Sequence, residues 1–215
     1  MGQKIGPGRK ELMNKNQPKD MDKKRRLFEA AARLFAEKGF EKTTVDEIAE
    51  AAEVAKGTVY YHFKGKEELF LFLVEEGMAI LMRRIAATLK NGMDCRVSLK
   101  KLIQVQLEFF AEYWDVCRIV LAEAWGTSTR QEKLQELLNE YYAIVGRIME
   151  QGIRERVIRP QDKEVLCTAL FGMTVLVALH FLQKSGPVDW ARIEEQLETL
   201  FFRGVVIDTG NGKLL

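Results

Sequence analysis

The sequence predicts an all-α protein, and three observations carry the prediction. Apolar residues recur at three- and four-residue spacing through most of the 215 residues. Prolines number only 4, so little interrupts those runs. No stretch alternates apolar and polar residues over the length of a strand. The expected organisation is a basic arm over residues 1–19, a three-helix unit over 20–66 and a larger helical body over 67–215.

The elements follow in order. Residues 1–19 are rich in Gly, Pro and Lys and read as a disordered arm able to brush a polyanion. From Asp22, the run KKRRLFEAAARLFAEKGF sets Leu27, Ala30, Ala31, Leu34 and Phe35 on one face, and Gly39 supplies the stop. Thr44 followed by Glu47 forms a capping box, which places a second helix at 45–51. A third begins near Ala55 and ends by Phe63, after a turn at Glu53. Lys64-Gly65 is a loop, and Lys66-Glu67-Glu68 opens a long fourth helix that runs to about Leu89 before Asn91-Gly92 breaks it. Further helices are expected near 96–113, 115–124, 129–156, 162–183 and 189–204. Gly126-Thr127-Ser128, Arg159-Pro160-Gln161-Asp162 and Ser185-Gly186-Pro187 separate them.

Composition narrows the function classes. The net charge of +2 hides an asymmetry: residues 1–66 carry 15 Lys and Arg against 10 Asp and Glu, and the remainder 18 against 21. A basic first third on a mildly acidic body suggests a polyanion partner for the N-terminal unit. The three cysteines, Cys95, Cys117 and Cys167, are widely spaced in apolar contexts and read as buried thiols of a reducing compartment. Neither a metal-ligand cluster nor a phosphate loop nor a nucleophile motif is present, so no catalysis, metal or cofactor is expected. The N-terminus lacks the apolar core of a signal peptide. The longest apolar run, Leu166 to Leu182, is broken by Thr168, Thr174 and His180 and reads as a buried helix, with no membrane association. A cytoplasmic protein is expected.

The stretch TTVDEIAEAAEVAKGTVYYHF, residues 43–63, has the spacing of two short helices crossing at a tight turn, a helix-turn-helix. Ala49 is small where the helices cross, and Ile48, Ala52, Val54 and Val59 fill the crossing. At about 100° per residue, Ala55, Val59, His62 and Phe63 face inward on the third helix. Lys56, Gly57, Tyr60, Tyr61 and Lys64 face outward. That outward face is basic, aromatic and slim at Gly57, as entry into a major groove requires. The start of the second helix offers free amides, and Thr43 and Thr44 add hydroxyls for a phosphate, although Asp46 and Glu47 weaken any anion site there.

These residues carry a resemblance. The segment from about Lys23 to Leu73 resembles the DNA-binding domain of the tetracycline-repressor (TetR) family of bacterial regulators. The match runs through Ala31–Phe35, Lys38-Gly39-Phe40, Thr43-Thr44-Val45, Ile48-Ala49, Lys56-Gly57-Thr58-Val59-Tyr60, His62-Phe63 and Lys66-Glu67-Glu68-Leu69. By position the resemblance implies base-facing contacts at Lys56, Gly57, Thr58 and Tyr60, and phosphate contacts at Thr44, Tyr61, His62 and Lys66. Two positions depart from the pattern. Glu53 stands where the family usually has a glycine in left-handed backbone, and Ala55 where it often has a capping serine. Each costs roughly 1 kcal/mol, and neither lies on the outward face.

For the body, the resemblance implies an inducer site and a homodimer formed through the last two long helices, reading a palindromic operator on double-stranded DNA. The interface stripes are Leu166, Leu170, Met173, Val177 and Phe181, then Ile193, Leu197, Leu200 and Phe201. Large apolar side chains exceed what one helix face needs. Met82, Phe110, Trp114, Trp125, Tyr142 and Phe171 are therefore candidates to line a site for a small hydrophobic effector. Glu123 lies on an otherwise apolar stripe with Val116, Ile119 and Val120; it meets a cationic ligand, pairs with a nearby arginine or lies at the rim. The resulting expectation is a transcriptional regulator, a repressor released from its operator by a hydrophobic ligand. The alternative is a DNA-binding protein controlled by a protein partner without any small molecule.

Overall fold

Capping chemistry sets most of the helix starts. In the computed structural model, which describes residues 18–90, 92–123, 126–184 and 186–205, the described residues form nine helices and no strand. They are α1 (Pro18–Lys38), α2 (Val45–Ala51), α3 (Lys56–His62), α4 (Lys66–Thr88), α5 (Cys95–Glu112), α6 (Trp114–Glu123), α7 (Ser128–Arg154), α8 (Lys163–Leu182) and α9 (Trp190–Val205). Thr44 and Glu47 make the expected capping box on α2. Asp94, Thr127 and Asp162 accept backbone N–H bonds at the starts of α5, α7 and α8. At the start of α3, Ala55 makes no side-chain cap, as its methyl group dictates. α1 is described from Pro18, ahead of the expected Asp22. The arm over residues 1–17 lies outside the described residues.

The helices enclose two apolar cores that share α4, α6 and α7. The first gathers Leu27, Phe35, Ile48, Ala49, Val59 and Phe63 with Leu69, Phe70 and Leu73 from the start of α4, and takes in Val116 and Ile119 of α6 and Leu137 of α7. The second lies among α5, α7, α8 and α9 and receives Leu81 and Ile85 from the end of α4. The 23 residues of α4 span about 34 Å at 1.5 Å per residue, so one rigid rod contributes to both cores. Within the second core a polar chain crosses three helices: Thr174 donates to Gln106 at 2.8 Å and Gln106 to the Tyr141 hydroxyl at 2.7 Å. All three are fully buried, and their mutual bonds offset the desolvation. The three thiols are free and buried, and burial pushes Cys95 and Cys167 up to about 11 and Cys117 to about 12. They are protonated and unreactive at neutral pH. α8, at mean hydropathy 2.2 and 20 residues, is long and apolar enough to cross a membrane. Leu166, Cys167, Leu170, Thr174, Val175 and Ala178 are instead buried against the neighbouring helices.

Two turns hold a residue with a side chain in left-handed backbone. Glu53 has φ 52°, as its glycine-like place in the motif implies, while the Val54 N–H donates to the Ala49 carbonyl. Arg156, at φ 57°, closes α7 as Val157 N–H reaches back to the Gly152 carbonyl, a stop that no glycine signals in the sequence. For Glu53→Gly, relief of left-handed strain of about 1 kcal/mol opposes loss of the exposed 3.2 Å ion pair to Arg26 and the extra chain entropy of glycine. Glu53→Gly is expected to raise the thermal midpoint by about 2 °C and to leave DNA affinity unchanged. A melt showing clear destabilisation contradicts this account of the turn.

Candidate nucleic-acid interface

The seven residues of α3 divide cleanly. Val59 is buried, and Phe63 just beyond the helix packs its ring 5.2 Å from Phe72 of α4. Those two anchors turn the other side of α3 to solvent. Lys56, Gly57, Thr58, Tyr60, Tyr61 and Lys64 are exposed, with Tyr60 at 52% and Tyr61 at 65%. Tyr60 and Tyr61 are the exposed large hydrophobics of this helix, side by side on its outer face. His62 is half-buried with the Tyr61 ring edge-on at 4.9 Å. Ala55, expected on the inner face, is exposed because it precedes the first turn. A Cβ at Gly57 would meet nothing within 4 Å, and its backbone does not demand glycine. Neither packing nor backbone conformation therefore gives a reason for Gly57.

The helical wheel of α3 alone missed a carboxylate on this surface. Asp46, in the first turn of α2, accepts from Lys56 Nζ at 2.7 Å and from the Tyr60 hydroxyl at 3.0 Å. The bond from Lys56 holds the Asp46 carboxyl below the usual carboxylate range, and the same contacts raise Lys56 and Tyr60. Only the fold reveals it, since residues 46 and 56 lie on different helices.

The threonines separate. Thr43 is a correction to the expected DNA contacts: it is 1% exposed, and its hydroxyl lies 2.8 Å from the Gly39 carbonyl and 3.1 Å from that of Leu34. It closes the end of α1 and cannot reach a phosphate. Thr44 is exposed, yet its amide and hydroxyl both engage Glu47, whose carboxyl Lys38 and Thr44 hold down at about 2. The anion-attracting start of α2 is thus met internally by Glu47. Lys66 Nζ donates to the Glu41 carbonyl at 2.8 Å and lies 4.5 Å from the Phe40 ring centroid, so it braces the α1–α2 connection.

Behind this surface stands a clasp that sequence reasoning did not find. Arg130, in the first turn of α7 and 5% exposed, meets both oxygens of Glu67 at 2.8 and 2.7 Å and Glu123 at 2.9 Å. Its guanidinium stacks on Phe40 at 4.0 Å and Phe70 at 4.7 Å. One side chain thereby joins the α1–α2 connection, the start of α4, the end of α6 and the start of α7. Of the readings for Glu123, the structure takes the arginine pair.

In the body, Phe110 and Phe171 lie 6.0 Å apart, and Tyr141 joins Phe171 at 4.9 Å to Tyr142 at 5.6 Å. Two of the expected ligand residues, Phe171 and Tyr142, therefore meet at Tyr141, and Phe110 reaches it through Phe171. Met82 and Trp114 are half-buried and belong to neither core, and Trp125 lies outside the described residues. Among the expected interface residues, Leu166, Leu170, Ile193, Leu197 and Phe201 fill the protomer's own core. A partner would meet Leu200, which is 65% exposed, and the half-buried Met173, Val177 and Phe181. Val165 and Leu176 of α8 are exposed beside them. An open groove of about 610 Å³ runs between the ends of α8 and α9, lined by Val177, Phe181, Val188, Leu197 and Leu200 among others.

This division into an exposed reading surface and a helical body has counterparts among known proteins. Residues 27–73 match the family of bacterial regulatory proteins described as the tetR family, and residues 96–205 match the tetracyclin repressor-like C-terminal domain. The chain belongs to the TetR family and is a DNA-binding transcriptional regulator. It is 27% identical over 195 residues to the fatty acid metabolism regulator protein of Bacillus subtilis, covering 90% of this chain and 98% of that one. A Clostridium perfringens structure, provisionally described as a fatty acid metabolism regulator, is 33% identical with a TM-score of 0.75, covering 85% of this chain and all of that one. The Bacillus subtilis regulator FadR, solved in complex with stearoyl-CoA, shares the fold at TM-score 0.76 with 22% identity over 84% of this chain and 98% of its own.

Proposed function

We propose that the protein is a repressor that binds a palindromic operator as a homodimer and leaves it when a hydrophobic ligand, a long-chain acyl compound, enters the body. The observation that carries the reading is the exposed face of α3, where Lys56, Thr58, Tyr60 and Tyr61 surround a glycine that packing does not require. Residues 20–66 supply the reading head, and the body beyond them the sensor and the interface. Tyr61, His62 and Lys66 flank α3 as phosphate contacts. The exposed apolar side chains of Val165 and Leu176 on α8 and of Leu200 on α9 support pairing of these helices with their copies. What supports the acyl class is the fatty acid regulators it resembles and the aromatic packing of Phe110, Phe171 and Tyr142 in the body. Binding there shifts α7 and α8, and Arg130 passes the shift to Glu67 at the foot of α4 and so to α3. The alternative spacing of the two reading heads no longer fits two half-sites.

Selection of genomic fragments by the purified protein tests this reading. The expected result is a small set of promoters sharing an inverted repeat, with long-chain acyl-CoA lowering retention. Recovery of fragments without any shared sequence would overturn it.

A further inference from the structure

The ion pair on the reading surface has a geometry that fits more than internal support. In the major groove, the edge of a G·C pair offers the guanine O6 acceptor beside the cytosine N4 donor. Those two atoms are joined by a Watson–Crick hydrogen bond and so stand about 2.9 Å apart. Lys56 Nζ and the Asp46 carboxylate oxygen, a donor beside an acceptor, stand 2.7 Å apart. We propose that Asp46 and Lys56 read one G·C pair in each half-site as a unit, with guanine on the lysine side. The proposal rests on α3 being the base-reading helix.

Hydrogen-bond capacity allows the double contact. An ammonium has three donors; Asp46 takes one and leaves two for guanine O6 and N7. Each carboxylate oxygen has room for two bonds, so the oxygen facing Lys56 still accepts from cytosine N4. The Tyr60 hydroxyl holds the other oxygen at 3.0 Å and fixes the plane of the carboxylate. Charge also permits it. A lone carboxylate near DNA would be repelled by the phosphates, but Lys56 neutralises this one at contact distance. Lys38, at 2.7 Å, likewise occupies the neighbouring Glu47, while Glu50, one turn further along α2, acts on Lys56 through its charge alone.

The order of donor and acceptor then ranks the four base pairs. G·C with guanine on the lysine side satisfies both groups and offers N7 as a second acceptor. T·A with thymine on that side keeps the order, through O4 and N6, but presents a methyl group in place of N7. The two reversed pairs set donor against donor and acceptor against acceptor, and both are rejected.

The test uses the full-length protein and duplexes carrying the selected inverted repeat, with each position changed in both half-sites to all four pairs. The wild-type chain is expected to prefer G·C at one position by about ten- to a hundredfold over its reversal. Asp46→Ala is expected to abolish that preference while leaving preferences elsewhere intact. Combined with Lys56→Ala, it should show strong non-additivity at that position alone. A purely structural Asp46 would instead weaken every duplex equally or change no preference, and either outcome overturns the proposal. If Lys56→Ala leaves operator binding unaltered, the assignment of α3 itself fails, a result distinct from failure at Asp46 alone.

Discussion

Arg130→Ala is expected to lower the stability of the folded chain by about 3 kcal/mol, and its thermal midpoint by about 6–12 °C. The substitution removes the bidentate pair to Glu67, the bond to Glu123 and the stacking on Phe40 and Phe70 in one step. Breaking a buried ion pair costs about 3–5 kcal/mol when the remaining charge stays buried. Here Glu67 and Glu123 keep 41% and 28% side-chain exposure and can rehydrate, which places the loss at the lower end. Arg130→Lys keeps the charge but neither the fork nor the flat stacking face, so it should recover only part of the loss. The clasp also carries a pH signature. The Arg130 bond depresses the Glu67 carboxyl below its ordinary value. The stability it contributes is therefore present above the unfolded carboxylate range and is lost as pH falls through the folded pKa. Calorimetry at neutral and acidic pH should show the gap between wild type and Arg130→Ala narrowing in acid. A loss below about 1 kcal/mol at neutral pH would make the clasp a surface pair in effect and remove it as the link between body and reading head.

Gly152→Ala is expected to destabilise by about 2–3 kcal/mol, although helix propensity alone favours alanine by nearly 1 kcal/mol. A Cβ at this position would stand 2.5 Å from Cys95 Sγ and 2.6 Å from Ile158 Cδ1. Both neighbours are fully buried, and both lie where the chain closes α7 and enters α5, so neither can yield without moving backbone. The glycine carbonyl also accepts from Val157 and Ile158. Adding Cys95→Ala opens the tighter contact and should restore part of the loss. Gly172 in α8 is the control, since a Cβ there meets nothing within 4 Å and Gly172→Ala is expected not to destabilise. Urea midpoints for the three variants check the set; an unchanged midpoint for Gly152→Ala contradicts the packing described here.

Local rules carried the reading of the sequence a long way. The Thr44–Glu47 capping box, the break at Asn91-Gly92 and the 3.6-residue spacing are short-range signals, and the helices stand where those signals place them. The left-handed backbone of Glu53 was legible through the family resemblance, which sets a glycine-like conformation at that place whatever residue stands there. What escaped was tertiary. Thr43 looks like an exposed hydroxyl until the end of α1 turns its carbonyls toward it. Asp46 looks peripheral until the turn at Glu53 lays α3 across it. Arg130 sits among Gln131, Glu132 and Lys133 and reads as another charge on a solvated face, with Glu67 far away in sequence. In the interface stripes, periodicity marked the apolar side of α9 but could not say that Ile193, Leu197 and Phe201 turn into their own protomer while Leu200 turns out.

Whether α3 reads base sequence is decided by the operator affinity of Lys56→Ala. Lys56 is exposed and contributes no core packing, so the variant should fold with an unchanged thermal midpoint. Its affinity for the selected inverted repeat is expected to fall by about ten- to a hundredfold, and its affinity for unrelated duplex DNA by far less. An equal loss on both duplexes would make Lys56 a phosphate contact only. Undiminished binding to the repeat would place the reading surface elsewhere and contradict the account.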